Sequence, residues 1–176
     1  MATVSENLPT GTRPVARGGD RFGTHRSLDP KGALPQPAMR VDNDMSRLFE
    51  GEALLAVETL NVDAASFVQM EEAGGSVDSV ADAVLQTVAS RGKQHNPVTG
   101  SGGMLLGRVL QLAPGRPSGE RLEVGDRVAT LVSLSLTPLR VDRVKAVRRA
   151  SAQLDVDGEA ILFATGAYAK LPIDLP

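Results

Sequence analysis

Two short stretches hold the groups best suited to chemistry. In ETLNVDAASF (58–67), Glu58 and Asp63 stand where an apolar run ends. A carboxylate at the point where a chain leaves a sheet can have its pKa tuned by burial for proton transfer. Asn61 and Ser66 lie in the same stretch and can hydrogen-bond a polar substrate or only the backbone of the turn. Asp63 also has a purely local reading, as the cap of a short helical turn over DAASF. The second stretch, RGKQHNPVTGSGGMLLG (91–107), sets Lys93 and His95 behind a helical pattern, and Gly100, Gly102, Gly103 and Gly107 at the start of an apolar run. Lys93 reads as a solvated charge rather than an imine-forming amine. His95 reads as a solvated or capping histidine.

Glycines before an apolar run raise the question of phosphate binding. A dinucleotide loop needs a strand, then G-x-G-x-x-G, then a helix whose N-terminus faces the pyrophosphate. Here the loop follows a helix and opens a strand, the third glycine is misplaced, and no G-K-[ST] is present. The mechanism therefore fails at this position. Metal binding is no better supported. There is no cysteine, so thiolate nucleophiles, disulfides and Cys-based zinc sites are excluded, and His25 and His95 stand far apart in the chain.

A net charge of −2 argues against a nucleic-acid surface, which needs clustered Lys and Arg. The densest basic stretch, RVDRVKAVRR (140–149), alternates valine with charge and reads as a strand with a solvated face. With four Phe, one Tyr and no Trp, the core must be built from Val, Leu and Ala. No stretch approaches the ~18 apolar residues of a membrane span, and the N-terminus lacks an apolar leader segment. These features predict a soluble, cytoplasmic protein.

The elements that must position these groups follow from periodicity. Residues 1–22, rich in Gly, Pro, Arg and Thr, predict a flexible arm or a segment that docks on a partner. LDPKGALPQPAM (28–39) is extended and irregular because of its prolines. GEALLAVETLNV (51–62) predicts a buried strand. Val77, Val80, Ala81, Val84, Leu85 and Val88 then repeat at helical spacing, with Ser76 as cap, Asp78 in the first turn and Gly92 past the end. Strands are predicted over Met104–Leu112, Asp126–Leu134 and Arg140–Val147. Asp157-Gly158 predicts a hairpin turn within LDVDGEAILF. One helix among six to eight short strands points to a mainly β fold, a small barrel or folded antiparallel sheet.

The order of the pieces resembles the GroES-like catalytic half of the medium-chain (zinc alcohol dehydrogenase-like) dehydrogenase superfamily. In that family G-H-E-x-x-G-x-V leads to a V-G-P-G turn, then G-D-R-V, then a strand followed by K-x-P. Gly102, Gly107 and Val109 match the first segment, Pro114-Gly115 the turn, and Gly125-Asp126-Arg127-Val128 the third, the most specific piece. YAKLP matches the last. The family's His and Glu fall on Gly103 and Met104, and its zinc-binding Cys is absent, so the resemblance implies a zinc-free branch and a partly open β-barrel over 23–176. GTHRSLDPKGALPQPA, ETLNVDAASF, QHNPVTGSGGMLLG and ATLVSLSLTPL are similar, more narrowly, to the L-erythro-3,5-diaminohexanoate dehydrogenase family.

That resemblance implies NAD-dependent oxidative deamination of a diamino acid to an amino-keto acid in lysine degradation. It carries no catalytic assignment onto particular residues; from the residues themselves, Asp63 or Glu58 is expected as the acid/base group in place of zinc, and Asn61, Ser66, Ser101 and the Gly102/Gly103 backbone as site lining. Lys93 or His95 would meet the substrate carboxylate. The superfamily's nucleotide-binding Rossmann domain follows K-x-P, so NAD is expected to be held mainly by a domain in cis or in trans, with this chain alone inactive. A homo-oligomer is expected. Two other readings stand beside this one: a non-catalytic GroES-like binding module, and half of a zinc-free quinone or enoyl reductase.

Overall fold

The computed structural model describes residues 11–96 and 98–172. Its strands are β1 (Val15–Ala16), β2 (Ser27–Asp29), β3 (Arg40–Val41), β4 (Leu48–Phe49), β5 (Ala53–Asn61), β6 (Met104–Leu112), β7 (Arg127–Thr130), β8 (Leu139–Arg148), β9 (Gln153–Leu162) and β10 (Tyr168–Lys170). Helices α1 (Ala64–Gly74) and α2 (Asp78–Arg91) fall between β5 and β6. Six strands form one antiparallel sheet in the order β10-β7-β6-β5-β9-β8. The fold is mainly β, a partly open, GroES-like barrel with two helices against it.

β5 lies at the centre of the sheet, between β6 and β9, and its first half is buried on both faces. Ala53, Leu55 and Val57 enter the main core with Val109, Ala160 and Leu162. Leu54 points the other way, into a second cluster with Met45, Leu48, Ile161 and Phe163. Two-sided burial explains why the sequence shows a continuous apolar run here instead of alternation. The pairing then slips: Val57 faces Gly107 but Thr59 faces Leu106, leaving Glu58 as the extra residue of a bulge. After it the core positions are Leu60 and Val62, even where they had been odd.

α2 forms along its predicted stripe, but its N-cap is Val77, without a side-chain cap bond, and not Ser76, which lies one residue earlier. Val80, Val84 and Val88 are its buried stripe, and Gly92, at φ 73°, ends it in the left-handed region. Ser76 Oγ accepts the Ser79 N–H at 3.3 Å. Several sequence expectations are corrected, among them the strand expected over Asp126–Leu134, which is confined to Arg127–Thr130 and followed by a 3-10 turn at Leu134–Leu136. α1 is a full helix of 11 residues, not a brief turn, so the described residues hold two α-helices. Its periodic signal is weak because only Ser66 and Phe67 are buried. Asp157-Gly158 makes no hairpin turn: both residues lie inside β9, where Gly158 faces Val57 and Val141. A side chain at Gly158 would collide with the Arg140 carbonyl, so this glycine serves close strand approach. The turn between β8 and β9 instead runs through Arg149–Ser151 and Ala152, at φ 51°.

The segment before β5 is fastened to the barrel. Residues 1–10 of the expected arm lie outside the described residues, but from Arg13 onward the chain is tied down. Arg13 pairs with Glu159 at 2.9 Å, its backbone N–H donates to Gln111 Oε1, and β1 pairs with β4. The deeper anchor is a buried ionic cluster. Arg26, fully buried, donates two hydrogen bonds of 2.8 Å to Glu52, and also donates to the carbonyls of Asp44 and Arg47. His25 Nε2 reaches Glu52 at 2.8 Å, and its Nδ1 accepts the Asp20 N–H. Burial raises the Glu52 carboxyl, but hydrogen bonds from Arg26 and His25 outweigh it and hold the group below its ordinary range. The basic face of β8 is paired as well: Arg143 and Lys145 meet Asp157, and Arg148 meets Asp155.

Candidate functional site

Where β5 ends, the chain makes a local turn that writes its own hydrogen bonds. Asp63 adopts an extended conformation and its Oδ1 accepts the Ser66 N–H at 3.0 Å, which caps α1. The Ser66 hydroxyl donates to Asp63 Oδ2. This geometry needs only an acidic residue three positions ahead of a serine, as in DAAS. Asn96 arrives from the segment after α2 and completes the network. Its Nδ2 donates to Ser66 Oγ at 2.6 Å and to Gln69 Oε1 at 3.0 Å. Its Oδ1 accepts the Val98 N–H, and its backbone N–H donates to Ser101 at 2.8 Å.

The glycine stretch is packed between two other elements. A side chain at Gly103 would strike the Asn61 carbonyl oxygen, and one at Gly102 the Gln94 carbonyl and the Ser135 N–H. The Gly102 N–H donates to Ser133 Oγ at 3.2 Å, and the Gly103 carbonyl accepts from Leu134. The Gly100 N–H is taken by the Asn96 carbonyl. With those groups committed and a strand following, the loop does not fit the phosphates of a dinucleotide. Nor do the described residues contain a group of three or more His, Asp or Glu side chains placed to hold a metal ion.

Asn61, Asp63, Ser66, His95, Ser101, Gly102 and Gly103 therefore converge on one neighbourhood: the end of β5, the start of α1 and the segment 94–103. Asn61 closes β5 between Met104 and Gln153. Glu58 and Lys93 are directed elsewhere. Glu58 binds Arg127 at 2.7 Å and approaches Arg108 at 3.9 Å. Its carboxylate is taken up by arginines of β6 and β7, whereas Asp63 lies beyond the end of β5 as the cap of α1. Lys93, expected to be solvated, is fully buried, and its Nζ donates to the carbonyls of Pro35 at 2.6 Å and Gln36 at 3.0 Å. Burial, with the Arg91 charge, lowers its pKa to about 8. Its ammonium holds the proline-rich 35–37 loop against the end of α2.

His95 sits beside a cleft of about 370 Å³ between α1 and α2, lined also by Ser66, Gln69, Gln94 and Asn96. Burial, then the Lys93 and Arg91 charges, push its imidazole below the ordinary range, so the ring is neutral near pH 7. Sequence reasoning missed Gln69, Gln94 and Asn96 because neutral amides carry no spacing signature. The one available clue was their position beside Lys93, His95 and the glycines.

Residues 25–172 match the family model described as the L-erythro-3,5-diaminohexanoate dehydrogenase N-terminal domain. The chain belongs to this family. Two curated relatives carry the name L-erythro-3,5-diaminohexanoate dehydrogenase. One, from Acetoanaerobium sticklandii, is 49% identical over 158 residues, covering 89% of this chain and 46% of the relative. The other, from Fusobacterium nucleatum subsp. nucleatum, is 49% identical over 159 residues, covering 90% of this chain and 46% of the relative. The chain thus spans about half the length of the curated relatives it matches. Its family is that of a dehydrogenase N-terminal domain, as the LNVDAASF, GSGGMLLG and GDRV segments imply.

Proposed function

We propose that this chain is the substrate-binding half of an NAD-dependent dehydrogenase that oxidatively deaminates L-erythro-3,5-diaminohexanoate in the cytoplasmic degradation of lysine. Family membership carries the reading, together with the convergence of polar groups at the end of β5. In this reaction the C3 amine becomes a ketone: hydride leaves C3 for NAD, water supplies the oxygen, and ammonium and a proton are released. NAD supplies the hydride acceptor and, on this reading, is held by the half of the relatives' length that this chain does not span.

The contribution of this chain is binding and proton handling. Asp63 is the proposed acid/base group, fixed in orientation by the Ser66 backbone and hydroxyl, with Asn96 fixing Ser66 in turn. No zinc takes part. The decisive experiment is NAD reduction by the complete protein with 3,5-diaminohexanoate. Substrate-dependent NADH formation with release of ammonium supports the proposal. Turnover of quinones or enoyl substrates alone would replace it with the reductase reading.

A further inference from the structure

The α1–α2 cleft has two features that its part in the fold leaves unexplained. Gln94 is 2% exposed, and its Oε1 has no hydrogen-bond partner. His95 Nδ1 is likewise buried and unpaired. Native proteins leave few such groups, because each loses its water without replacing it. Both belong to adjacent residues lining one cleft, whose opposite walls are apolar, with Met70, Ala73 and Ala83. Its volume lies within the range of small-molecule sites.

Both orphaned groups are amphoteric: an amide can rotate and a neutral imidazole can exchange tautomers, so each can donate or accept. The charges around them decide which. The groups acting on His95 are the cations Lys93 and Arg91. The first turn of α1, which brings Ser66 to the cleft, adds the positive end of a helix dipole. The nearby carboxylate, Asp63, is occupied by the Ser66 N–H and hydroxyl. An anionic head with a short aliphatic body satisfies both the polar floor and the apolar walls.

We infer that this cleft is a carboxylate-binding subsite, in which Gln94 and His95 donate to the carboxylate of an aliphatic amino acid whose carbon chain lies against Met70, Ala73 and Ala83. This rests on the function proposed above, where the carboxylate is that of the substrate.

The test is titration of this chain with 3-aminohexanoate, followed through the ring signals of its two histidines, with 3-aminohexanamide and 2-aminopentane as neutral-head and headless probes. The acid should shift the His95 signals saturably and leave those of His25 in place, and neither other probe should do so. Gln94→Ala should weaken binding by about tenfold or more, the loss of a hydrogen bond to a charged group, with an unchanged melting temperature. Equal response to the amide or the amine, or unchanged affinity in Gln94→Ala, overturns the inference. The two proposals fail separately. Carboxylate binding without NAD-linked turnover by the complete protein removes the function and keeps the subsite. Turnover with KM unaltered by Gln94→Ala removes the subsite and keeps the function.

Discussion

The side chains of His25 and His95 meet burial in opposite ways. His25 has both ring nitrogens engaged, by the Asp20 N–H and Glu52, and Glu52 is further held by both arms of Arg26 and by the Phe49 N–H. His95 and its neighbour Gln94 keep buried atoms without partners beside an open cleft. A network in which the charges answer one another fixes the 13–50 segment to the barrel and leaves little for a ligand to gain. A network left incomplete is stabilised less by the fold and more by what enters it. The contrast separates scaffold from site more sharply than the presence of histidine does.

The comparison can be broken most forcefully at Glu52. Glu52→Ala leaves the buried Arg26 guanidinium with only backbone carbonyls and the more distant Asp42 carboxylate at 3.7 Å, and should cost about 3–5 kcal/mol, read as a lowered urea midpoint. A loss below 1 kcal/mol would show that water reaches the cluster and that it is not the anchor described. Lys93 gives the next effect, through pH. Its folded pKa, about 8, lies below the ordinary 10.5, so between those values the unfolded chain binds the proton and the folded chain sheds it. Stability of the native chain relative to Lys93→Met should therefore rise as pH goes from 8 to 10.5, by on the order of 2 kcal/mol. A flat difference would mean that the ammonium is solvated.

Asp63 separates capping from chemistry. Asp63→Ala should lose about 1 kcal/mol through the cap, whereas asparagine caps as well as aspartate. Asp63→Asn should thus keep the melting temperature while lowering kcat of the complete enzyme at least about a hundredfold if the carboxylate handles protons. Full activity across pH would reduce Asp63 to a cap. The smallest effect is expected at Gln94. Because its Oε1 bonds to nothing among the described residues, Gln94→Ala should change stability by less than about 1 kcal/mol. A large loss would place Gln94 with the His25 type of network and erase the contrast.

What could be read in advance follows the range of the interactions. β6 and α2 were legible because their signals are local: an apolar run after glycines, and a valine stripe ending in glycine. Asp63 and Ser66 were legible because capping spans three residues. Arg26 with Glu52, Arg13 with Glu159, and Asn96 with Ser66 join residues far apart, and no spacing announces them. Gly158 misled for a related reason. Aspartate-glycine marks a turn locally, but here the neighbouring strand Leu139–Arg148 demands a residue without a side chain. α1 escaped notice because it buries little of itself and so shows little periodicity.

Glu58, bound to arginines and remote from the site, still bears on which way the site faces. As the extra residue of the β5 bulge it reverses the parity of the strand, so that Leu60 and Val62 enter the main apolar core where a regular strand would send Thr59 and Asn61. Removing one residue there would leave every later side chain chemically intact and turn it to the opposite face. Asn61 would be driven inward, and Asp63 would leave β5 from the other side. The orientation of this site is thus a matter of counting: it depends on an odd residue in a strand, whatever that residue's own chemistry.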